Sequence, residues 1–465
     1  MTAPMSIHGF SASLPLKGPT VVTIYGAGGK TSLLETLGRE LSLQGRRVIL
    51  TTTTRIFKPE TYPCVIGEDF LSVTEALAEH FPAHSPVVLG AKLSDDQKLI
   101  GIDPAWPQSL LDQGICDDVI VEADGAARKP IKGYASYEPV LPPSSTVLIP
   151  VMGYDALGIP IDAEHVHRPE AFCVLTGARQ GDRITMDHFL TAMAYMIRLG
   201  QEKCPHAVIV PVVNKVDLAR DTQQIREVCQ KFPLVEAVDR LLFTRLKEDP
   251  SVQFSFGRIH GVLEPEISIV ILAAGESVRM GRPKLALPLH EKTLLEMAMA
   301  PVLASGIRDI VVVTDEDSAW IREKIPSDIR IVVNPRSREG IATSIQAGIT
   351  AVSSRSQAIL FSLGDQPFVT AEVYRMLIDH YRRHMKALTY PVFDGKRGNP
   401  VLFDRRLWSA LMALQGDEGG RQIFASVPDQ EKAGVTVLCP GILQDIDTPE
   451  EYARMSEMNV AEENP

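Results

Sequence analysis

The chain has little of what marks disulfide-rich, zinc-binding or nucleic-acid-binding proteins. Its six cysteines are scattered singly with no Cys-x-x-Cys pair, which suits reduced thiols and gives no zinc framework. A formal net charge of −11 argues against binding to nucleic acid, because no basic excess is present to neutralise phosphates. No apolar run reaches the length of about 18 residues that a membrane helix needs, and no basic segment followed by an apolar core opens the sequence. We therefore expect a cytoplasmic protein with neither nucleic-acid nor membrane partners.

What is present predicts two α/β domains. At 465 residues the chain is too long for one ordinary core. Apolar strand-like runs alternate with helical patterns, which favours doubly wound, mainly parallel sheets covered by helices. We expect domains at 1–262 and 267–456, separated near Gly261–Glu266. The strand candidates are Val21–Tyr25, Arg47–Leu50, Val119–Val121, Val147–Val151 and Ala207–Val213 in the first half, and Ile267–Leu272, Asp309–Val313, Arg330–Val333 and Ala358–Leu363 in the second.

The segment Ile267–Lys284 is the most informative one, with the sequence ISIVILAAGESVRMGRPK. A buried strand that runs into a glycine-containing loop exposes backbone N–H groups at the carboxyl edge of a sheet, and Arg279 and Lys284 follow within reach of phosphates bound there. The loop is not a dinucleotide fingerprint, because only Gly275 and Gly281 are available and they lie too far apart. It also lacks the Gly-Lys-Ser/Thr ending of a Walker loop.

Two acidic positions in the second half suggest a metal site. Asp365 follows the apolar run Ala358–Leu363, and a carboxylate at the carboxyl end of a buried parallel strand points into the ligand crevice. Asp445 and Asp447 are spaced so that both would face one side of a strand, and one of them could complete a site for Mg²⁺, which prefers oxygen ligands. For Asp445 alone, helix capping or a surface turn is an equally open explanation.

The loop resembles the signature of the MobA-like nucleotidyltransferases, matched at Leu272, Gly275, Ser277, Arg279, Met280, Gly281 and Lys284. The resemblance implies a Rossmann-like nucleotidyltransferase domain with Mg²⁺ on Asp365 and Asp447. The catalytic residues that it implies are Lys284, Arg279 and Asp365. The nucleotide-binding residues that it implies are Leu272, Ala273, Ala274, Gly275, Gly281, Asn334 and Ser344. The substrate-binding residues, on loops like those on the pterin side of molybdenum cofactor cytidylyltransferases, are Asn399, Pro400, Asp417, Gly419, Gly420 and Arg421.

The identity of the base depends on Ala274. In the cytidylyl-transferring branch of this family, alanine replaces a glycine of the guanylyl-transferring branch, and a methyl group there narrows the base pocket in favour of a pyrimidine. The expected reaction is transfer of CMP from CTP to molybdopterin phosphate with release of pyrophosphate. A guanylyl or sugar-1-phosphate transferase, which differs only in the contents of the pocket, stays open as an alternative.

The first half has a second, shorter phosphate-binding loop. The strand candidate Val21–Tyr25 leads into Gly-Ala-Gly-Gly-Lys-Thr-Ser at 26–32, although the first glycine of a strict Walker loop is replaced by Ile24. Amides, helix dipole and one lysine still converge at the helix start. The strand that ends in Glu122 and Asp124 is placed as a Mg²⁺-holding motif would be, and Asn214-Lys215-x-Asp217 resembles the guanine-reading motif of P-loop GTPases. The nucleotide-binding residues predicted here are Gly26, Gly28, Gly29, Lys30, Thr31, Ser32, Asn214, Lys215 and Asp217.

The first half as a whole resembles the YqeC-like accessory proteins of selenium-dependent molybdenum hydroxylases. The shared elements are the glycine loop, the threonine run Thr51–Thr54 and Glu-Ala-Asp-Gly at 122–125. The resemblance implies a P-loop NTPase-like domain that binds GTP or ATP and serves a molybdenum hydroxylase client. A GTP-switched chaperone that merely holds finished cofactor stays open as an alternative, although intact Asp365, Lys284 and Asp447 argue against it, since a holder has no need of metal ligands.

Overall fold

The protein forms two compact units, Met1–Glu264 and Pro265–Pro465. The structure, a computed structural model, describes residues 9–57, 61–79, 81, 84–218, 222–246, 251–259, 261–275, 283–318 and 320–458. Among these residues no helix combines the length and the apolar character that crossing a bilayer requires.

The first unit is built from short strands alternating with helices. Its strands are β1 Thr20–Gly26, β2 Val48–Thr52, β3 Arg55–Phe57, β4 Cys64–Ile66, β5 Val87–Gly90, β6 Lys92–Leu93, β7 Lys98–Ile100, β8 Asp118–Glu122, β9 Ile131–Lys132, β10 Val147–Gly153, β11 Val166–His167, β12 Val208–Ile209, β13 Val212–Asn214, β14 Arg240–Thr244, β15 Val252–Ile259 and β16 Val262–Pro265. Its helices are α1 Lys30–Leu43, α2 Phe70–Glu79, α3 Trp106–Asp112, α4 Pro169–Thr176, α5 Met186–Lys203 and α6 Thr222–Lys231.

The main sheet of this unit is doubly wound around β1. Its order is β16-β15-β14-β13-β10-β1-β8-β2-β5-β4, with β12 beside β10, and β1 pairs in parallel with both β10 and β8. Alternate residues of β1 enter two different core clusters, Val22 and Ile24 on one face and Val21 on the other. A strand covered on both faces explains why β1 is buried along its whole length and is mostly apolar. A separate three-stranded antiparallel sheet has the order β3-β7-β6.

The expected strand Ala207–Val213 is instead two strands, β12 and β13. Pro211 lies between them, and proline has no N–H to donate to a sheet ladder. Val208 and Ile209 pair with the start of β10, and Val212–Asn214 pair with its end.

The second unit is also an α/β unit, with a smaller main sheet. Its strands are β17 Ile267–Leu272, β18 Pro288–Leu289, β19 Lys292–Thr293, β20 Asp309–Thr314, β21 Arg330–Val333, β22 Ala358–Leu363, β23 Leu388–Phe393, β24 Lys396–Arg397, β25 Val401–Asp404 and β26 Lys432–Thr436. Its helices are α7 Leu294–Leu303, α8 Ile321–Lys324, α9 Ile341–Ala351, α10 Ala371–His384, α11 Trp408–Met412, α12 Gly420–Ser426 and α13 Pro449–Met458.

In this sheet the order is β21-β20-β17-β22-β25-β23-β24, with β26 beside β23. Strands β21, β20, β17 and β22 are mutually parallel, and β25 joins β22 in the antiparallel sense. Ile267, Ile269 and Ile271 of β17 enter one core cluster and Val270 the other. The chain leaves β17 toward β20 on one side and returns to β22 on the other, so the crevice at their carboxyl ends is the place where a doubly wound fold binds ligands.

Candidate active site and anion-binding cavity

In the second unit one lysine lies between two aspartates. The Nζ atom of Lys284 donates to Oδ2 of Asp365 at 2.7 Å and to Oδ1 of Asp447 at 2.5 Å. Lys284 opens a short helical turn, Asp365 follows β22, and Asp447 precedes α13. Burial opposes the charged form of Lys284, but the neighbouring Asp365 and Asp447 outweigh it and raise the pKa of the lysine. The structure thus brings together three of the residues predicted for catalysis and metal binding.

Local backbone contacts hold both aspartates in place. The N–H of Gly364 donates to the carbonyl of Leu272 at 3.0 Å, which ties the end of β22 to the end of β17. The N–H of Ile446 donates to the carbonyl of Asp365 at 3.2 Å. The segment from Asp445 to Asp447 is therefore irregular chain beside Asp365, so the alternation of side chains along a strand does not apply to these two aspartates.

Asp447 is further fixed by the cap of α13. Oε2 of Glu451 accepts from the N–H groups of Asp447 and Thr448 at 2.9 and 3.0 Å, and Oγ1 of Thr448 accepts from the N–H of Glu451 at 3.2 Å. This reciprocal arrangement is a capping box, which the sequence Thr-Pro-Glu-Glu encodes. The helix start therefore presents Asp447 to Lys284.

The same cluster fits a divalent cation. Oδ1 of Asp365 is buried and has no hydrogen-bond partner among the residues that the structure describes, a costly arrangement that a cation would relieve. Burial, together with Asp447 and Asp365, raises the pKa of Asp445, as expected where carboxylates converge. Within the described ranges no group of three or more His, Cys, Asp or Glu side chains is arranged to hold a metal. Asp365 and Asp447 could therefore supply two ligands of Mg²⁺, which commonly takes its others from phosphates and water.

The signature loop leaves β17 beside this cluster. The N–H of Ala273 donates to the carbonyl of Val313 at 2.8 Å, which continues the pairing of β17 with β20 beyond Leu272. Ala274 is partly buried against the core, and Gly275 is exposed. Arg279 and Gly281, predicted to contact phosphates and nucleotide, lie outside the described residues.

Two of the predicted nucleotide-binding residues, Asn334 and Ser344, are hydrogen-bonded to each other at the end of β21. The amide of Asn334 donates to Oγ1 of Thr343 at 2.9 Å and to Oγ of Ser344 at 3.0 Å, and its oxygen accepts from the N–H of Arg336 at 3.0 Å. Both Asn334 and Ser344 are buried. In this structure Asn334 and Ser344 stabilise the turn that leads into α9. A contact of either residue with nucleotide stays a prediction.

The predicted pterin-side loop lies against that turn. Gly340 has a φ of 113°, and a Cβ there would lie 2.2 Å from the carbonyl of Gly416, so only glycine fits. The N–H of Ala342 donates to the same carbonyl at 3.1 Å. The members of the predicted set lie in two places: Asp417, Gly419, Gly420 and Arg421 follow Gly416 at the start of α12, whereas Asn399 and Pro400 precede β25, where the N–H of Asn399 donates to the carbonyl of Ile442 at 3.0 Å.

In the first unit the shorter loop borders a cavity of about 620 Å³. Gly28, Gly29, Lys30, Thr31 and Ser32 form one wall of the cavity. Helix α1 begins at Lys30, and the first N–H groups of a helix have no partner within it. Positive φ angles at Gly26, Gly28 and Gly29 turn the chain into this helix. The cations that line the cavity are Lys30, Arg55, Lys98, Arg128, Lys129 and Lys215, with Glu122 as the acid.

Glu122 lies where a metal-holding acid is expected. Oγ1 of Thr31 donates to Oε2 of Glu122 at 2.9 Å, and Nζ of Lys30 lies 3.6 Å from Oε1. Burial raises the pKa of Glu122, and Lys30 opposes that effect. Asp124 has a different role in the structure. Its carboxylate is fully buried and accepts from the N–H of Gly26 at 3.0 Å and from Nζ of Lys132 at 3.0 Å, so it holds the loop from behind.

The side chains of the Asn-Lys-x-Asp element, Asn214, Lys215 and Asp217, do not come together to form a site for a nucleotide base. The amide of Asn214 donates to the carbonyl of Gly28 at 2.9 Å, which places it under the loop. Lys215 is paired with Asp155 at 2.5 Å, and Asp217 is exposed and does not line the cavity. The hydroxyls of Thr51, Thr52 and Thr53 likewise donate to backbone carbonyls, those of Leu89, Glu122 and Val140, at 2.6–2.8 Å.

Sequence reasoning missed the charged side chains behind the loop. Lys132 is buried and donates to Asp124 at 3.0 Å and to Glu138 at 2.8 Å, and Arg168 also pairs with Glu138. The available signal was the run Arg-Lys-Pro-Ile-Lys at 128–132, immediately after the acidic strand end. Because Lys132 is buried on β9, its charge required buried acids nearby.

A parallel α/β sheet with a lysine–carboxylate cluster at its switch point is the arrangement of a nucleotidyltransferase. Two family models match the chain, "YqeC protein" over residues 22–170 and "MobA-like NTP transferase domain" over residues 269–433. The second unit belongs to the MobA-like NTP transferase family, and the first carries a YqeC domain.

Three curated relatives illustrate these matches. The chain is 38% identical over 164 residues to the uncharacterized protein YqeC of Escherichia coli (strain K12), which covers 35% of this chain and 62% of that protein. It is 30% identical over 167 residues to the nicotine blue oxidoreductase of Paenarthrobacter nicotinovorans, covering 34% of this chain and 81% of that protein. It is 26% identical over 193 residues to the molybdenum cofactor cytidylyltransferase of E. coli (strain K12), covering 41% of this chain and 96% of that protein. The chain thus spans about three fifths of the length of the first of these relatives.

Proposed function

We propose that the second unit transfers CMP from CTP to the phosphate of molybdopterin and releases pyrophosphate. The first unit is then a nucleotide-binding accessory domain that serves the maturation of a molybdenum hydroxylase. The observation that carries the proposal is the position of Lys284, bonded to Asp365 and Asp447 at the carboxyl edge of the sheet. The relative named a molybdenum cofactor cytidylyltransferase supports the choice of substrates.

The reaction needs alignment and charge neutralisation rather than a covalent enzyme group. An oxygen of the pterin phosphate attacks the α-phosphorus of CTP, the bond from that phosphorus to the bridging oxygen breaks, and pyrophosphate leaves with the electron pair. Lys284 stays protonated, because Asp365 and Asp447 raise its pKa, and its ammonium group can therefore stabilise negative charge on the phosphates. Asp365 and Asp447 would hold Mg²⁺, which when bound supplies further charge neutralisation at the α-phosphate and the leaving oxygens.

The choice of CTP rests on Ala274. Its side chain is partly buried and packed against the core cluster that contains Val270 and Val313, so the methyl group has a fixed position at the mouth of the loop. A fixed methyl beside the base leaves less room for a purine than the hydrogen of a glycine would. The expected discrimination is modest, because one methylene-sized difference in a pocket is worth only about 1–3 kcal/mol.

The test is an incubation of the full chain with molybdopterin, Mg²⁺ and each of the four ribonucleoside triphosphates, with pyrophosphate as the readout. We expect release with CTP, a rate at least about tenfold lower with GTP, and loss of both in Lys284→Ala. Lys432→Ala is the matched control, since Lys432 pairs with an exposed aspartate on the surface of the same unit. Release with glucose 1-phosphate but not with molybdopterin would instead support a sugar-nucleotide transferase, and release with neither acceptor would refute the proposed reaction.

A further inference from the structure

The cavity of the first unit is lined by an aromatic side chain, Phe57, as well as by its phosphate loop. Strand β3 carries the exposed Arg55 and Phe57 on either side of the buried Ile56, and all three residues line the cavity. Phe57 pairs across the ladder with Lys98, and both residues line the cavity. Phe57 is 52% exposed, so its ring is accessible to a ligand in the cavity.

A strained turn brings a guanidinium to the same ring. Ala127 and Arg128 are consecutive non-glycine residues with φ angles of 47° and 58°, in the left-handed region that such residues rarely adopt. The turn places the guanidinium carbon of Arg128 4.4 Å from the centroid of the Phe57 ring, and Nζ of Lys98 lies 5.2 Å from it. A phenyl ring and a guanidinium plane are the surfaces on which proteins stack heterocycles.

The cations of the cavity differ in how far they are already neutralised. Arg55 and Lys98 both pair with Asp96, at 3.0 and 2.8 Å. Lys215 pairs with Asp155. Arg128 forms no ion pair with any residue that the structure describes, so its charge is available to an anionic ligand. The cavity therefore joins a phosphate end at Gly28–Thr31 with a cationic aromatic end at Phe57.

Groups that could read the edge of a base are engaged elsewhere. Asn214 is bonded to the loop carbonyl of Gly28, and Oγ1 of Thr244 donates to its amide oxygen at 3.0 Å. Asp217 is exposed and is not among the residues that line the cavity. We propose that the cavity takes a phosphorylated planar heterocycle whose ring stacks on Phe57 and Arg128 while its phosphates lie along Gly28–Thr31. Stacking and charge, rather than hydrogen bonds to the ring edge, then decide affinity. The inference rests on the proposed nucleotide-binding function of this unit and names the chemistry by which it selects a ligand.

The test measures equilibrium binding of ATP, GTP, molybdopterin and inorganic tripolyphosphate to the full chain. Phe57→Ala should weaken binding of the ring-containing ligands by at least about tenfold, the equivalent of about 1.4 kcal/mol, because stacking of one base is typically worth about that much or more. It should leave tripolyphosphate binding unchanged, whereas Lys30→Ala should weaken all four. Leu71→Ala is the matched control, since Leu71 is a 69% exposed apolar residue of the same unit that does not line the cavity.

Two further readouts keep the outcome decisive. ATP and GTP should bind within about tenfold of each other, and Asp217→Ala should change neither affinity. In Phe57→Trp, a ring-containing ligand should quench the new fluorescence and tripolyphosphate should not. The heterocycle whose affinity falls most in Phe57→Ala identifies the source, a mononucleotide or a pterin. Unchanged affinities in Phe57→Ala, or a GTP preference abolished by Asp217→Ala, would overturn the stacking inference alone. Unchanged affinities in Lys30→Ala would refute the phosphate site itself.

Discussion

Replacing Asp365 by asparagine tests the proposed metal and phosphate site by removing the charge of one carboxylate. The change removes one negative charge and keeps the size of the side chain. Lys284 loses its partner at 2.7 Å but keeps Asp447 at 2.5 Å. Oδ1 of Asp365, which has no hydrogen-bond partner within the described part of the chain and fits a cation, becomes part of a neutral amide. We therefore expect the fold to survive and the chemistry to fail.

The expected loss of stability in Asp365→Asn can be compared with the expected loss of turnover. The Asp365 and Lys284 side chains are 21% and 14% exposed, so the loss in stability should lie between that of a surface and a buried ion pair, about 1–2 kcal/mol. For a unit of this size that shifts Tm by about 2–8 °C. Loss of one preorganised electrostatic contact at a reacting phosphate slows turnover by ~10²–10³, or about 2.7–4.1 kcal/mol.

The assay compares kcat for pyrophosphate release and Tm in wild type, Asp365→Asn and two controls. Asp429→Asn removes the same charge from a 99% exposed position of the same unit, and Lys30→Ala changes the loop of the first unit. Both controls should keep the wild-type rate. If Lys30→Ala abolished transfer and Asp365→Asn left it untouched, the chemistry would belong to the other unit and our assignment would be wrong.

Three further predictions address the base pocket, the unit boundary and the buried charges. Ala274→Gly should narrow the preference for CTP over GTP in kcat/KM from at least about tenfold toward equality; an unchanged ratio would remove Ala274 from the base pocket. A fragment starting at Pro265 should fold, as measured by circular dichroism, and should retain nucleotidyl transfer, as measured by pyrophosphate release. An inactive or insoluble fragment would contradict the claim that the two units fold independently. Although burial opposes it, bonds from Arg168 and Lys132 lower the pKa of Glu138 below its ordinary 4.5. This stabilisation is present above that pH and is lost as the pH falls through the lower folded value, so Glu138→Gln should flatten the acid decline of Tm; an equally steep decline would show that other carboxylates cause it.

The elements that position both sites could be predicted because their sequences carry strong local patterns. Strands β1 and β17 are mostly apolar, since both of their faces are buried, and each leads into a glycine-containing loop. Helix α1 begins at Lys30, as the Gly-Gly-Lys-Thr sequence indicates. The placement of Asp365 at the end of β22 followed from the same reasoning.

Contacts between distant segments could not be predicted in this way. The bond between Lys284 and Asp447 spans 163 positions of the chain, and it depends on the sheet order and on the cap of α13 rather than on either local sequence. Asn214 has the sequence context of a base-reading residue, but the topology places it under Gly28. Phe57 and Arg128 meet only because β3 and a left-handed turn border one cavity, and no periodic pattern marks such a meeting.

The most direct test of the proposed reaction follows the α-phosphate of CTP itself. The full chain is incubated with Mg²⁺, molybdopterin and CTP that carries a radiolabel in its α-phosphate, and the products are separated from nucleotide. We predict that the label moves to a pterin-containing product, that one pyrophosphate appears for each label transferred, and that Asp365→Asn suppresses both. Label that stays in CTP, or appears only as free CMP, would contradict the assignment of this protein as a molybdopterin cytidylyltransferase.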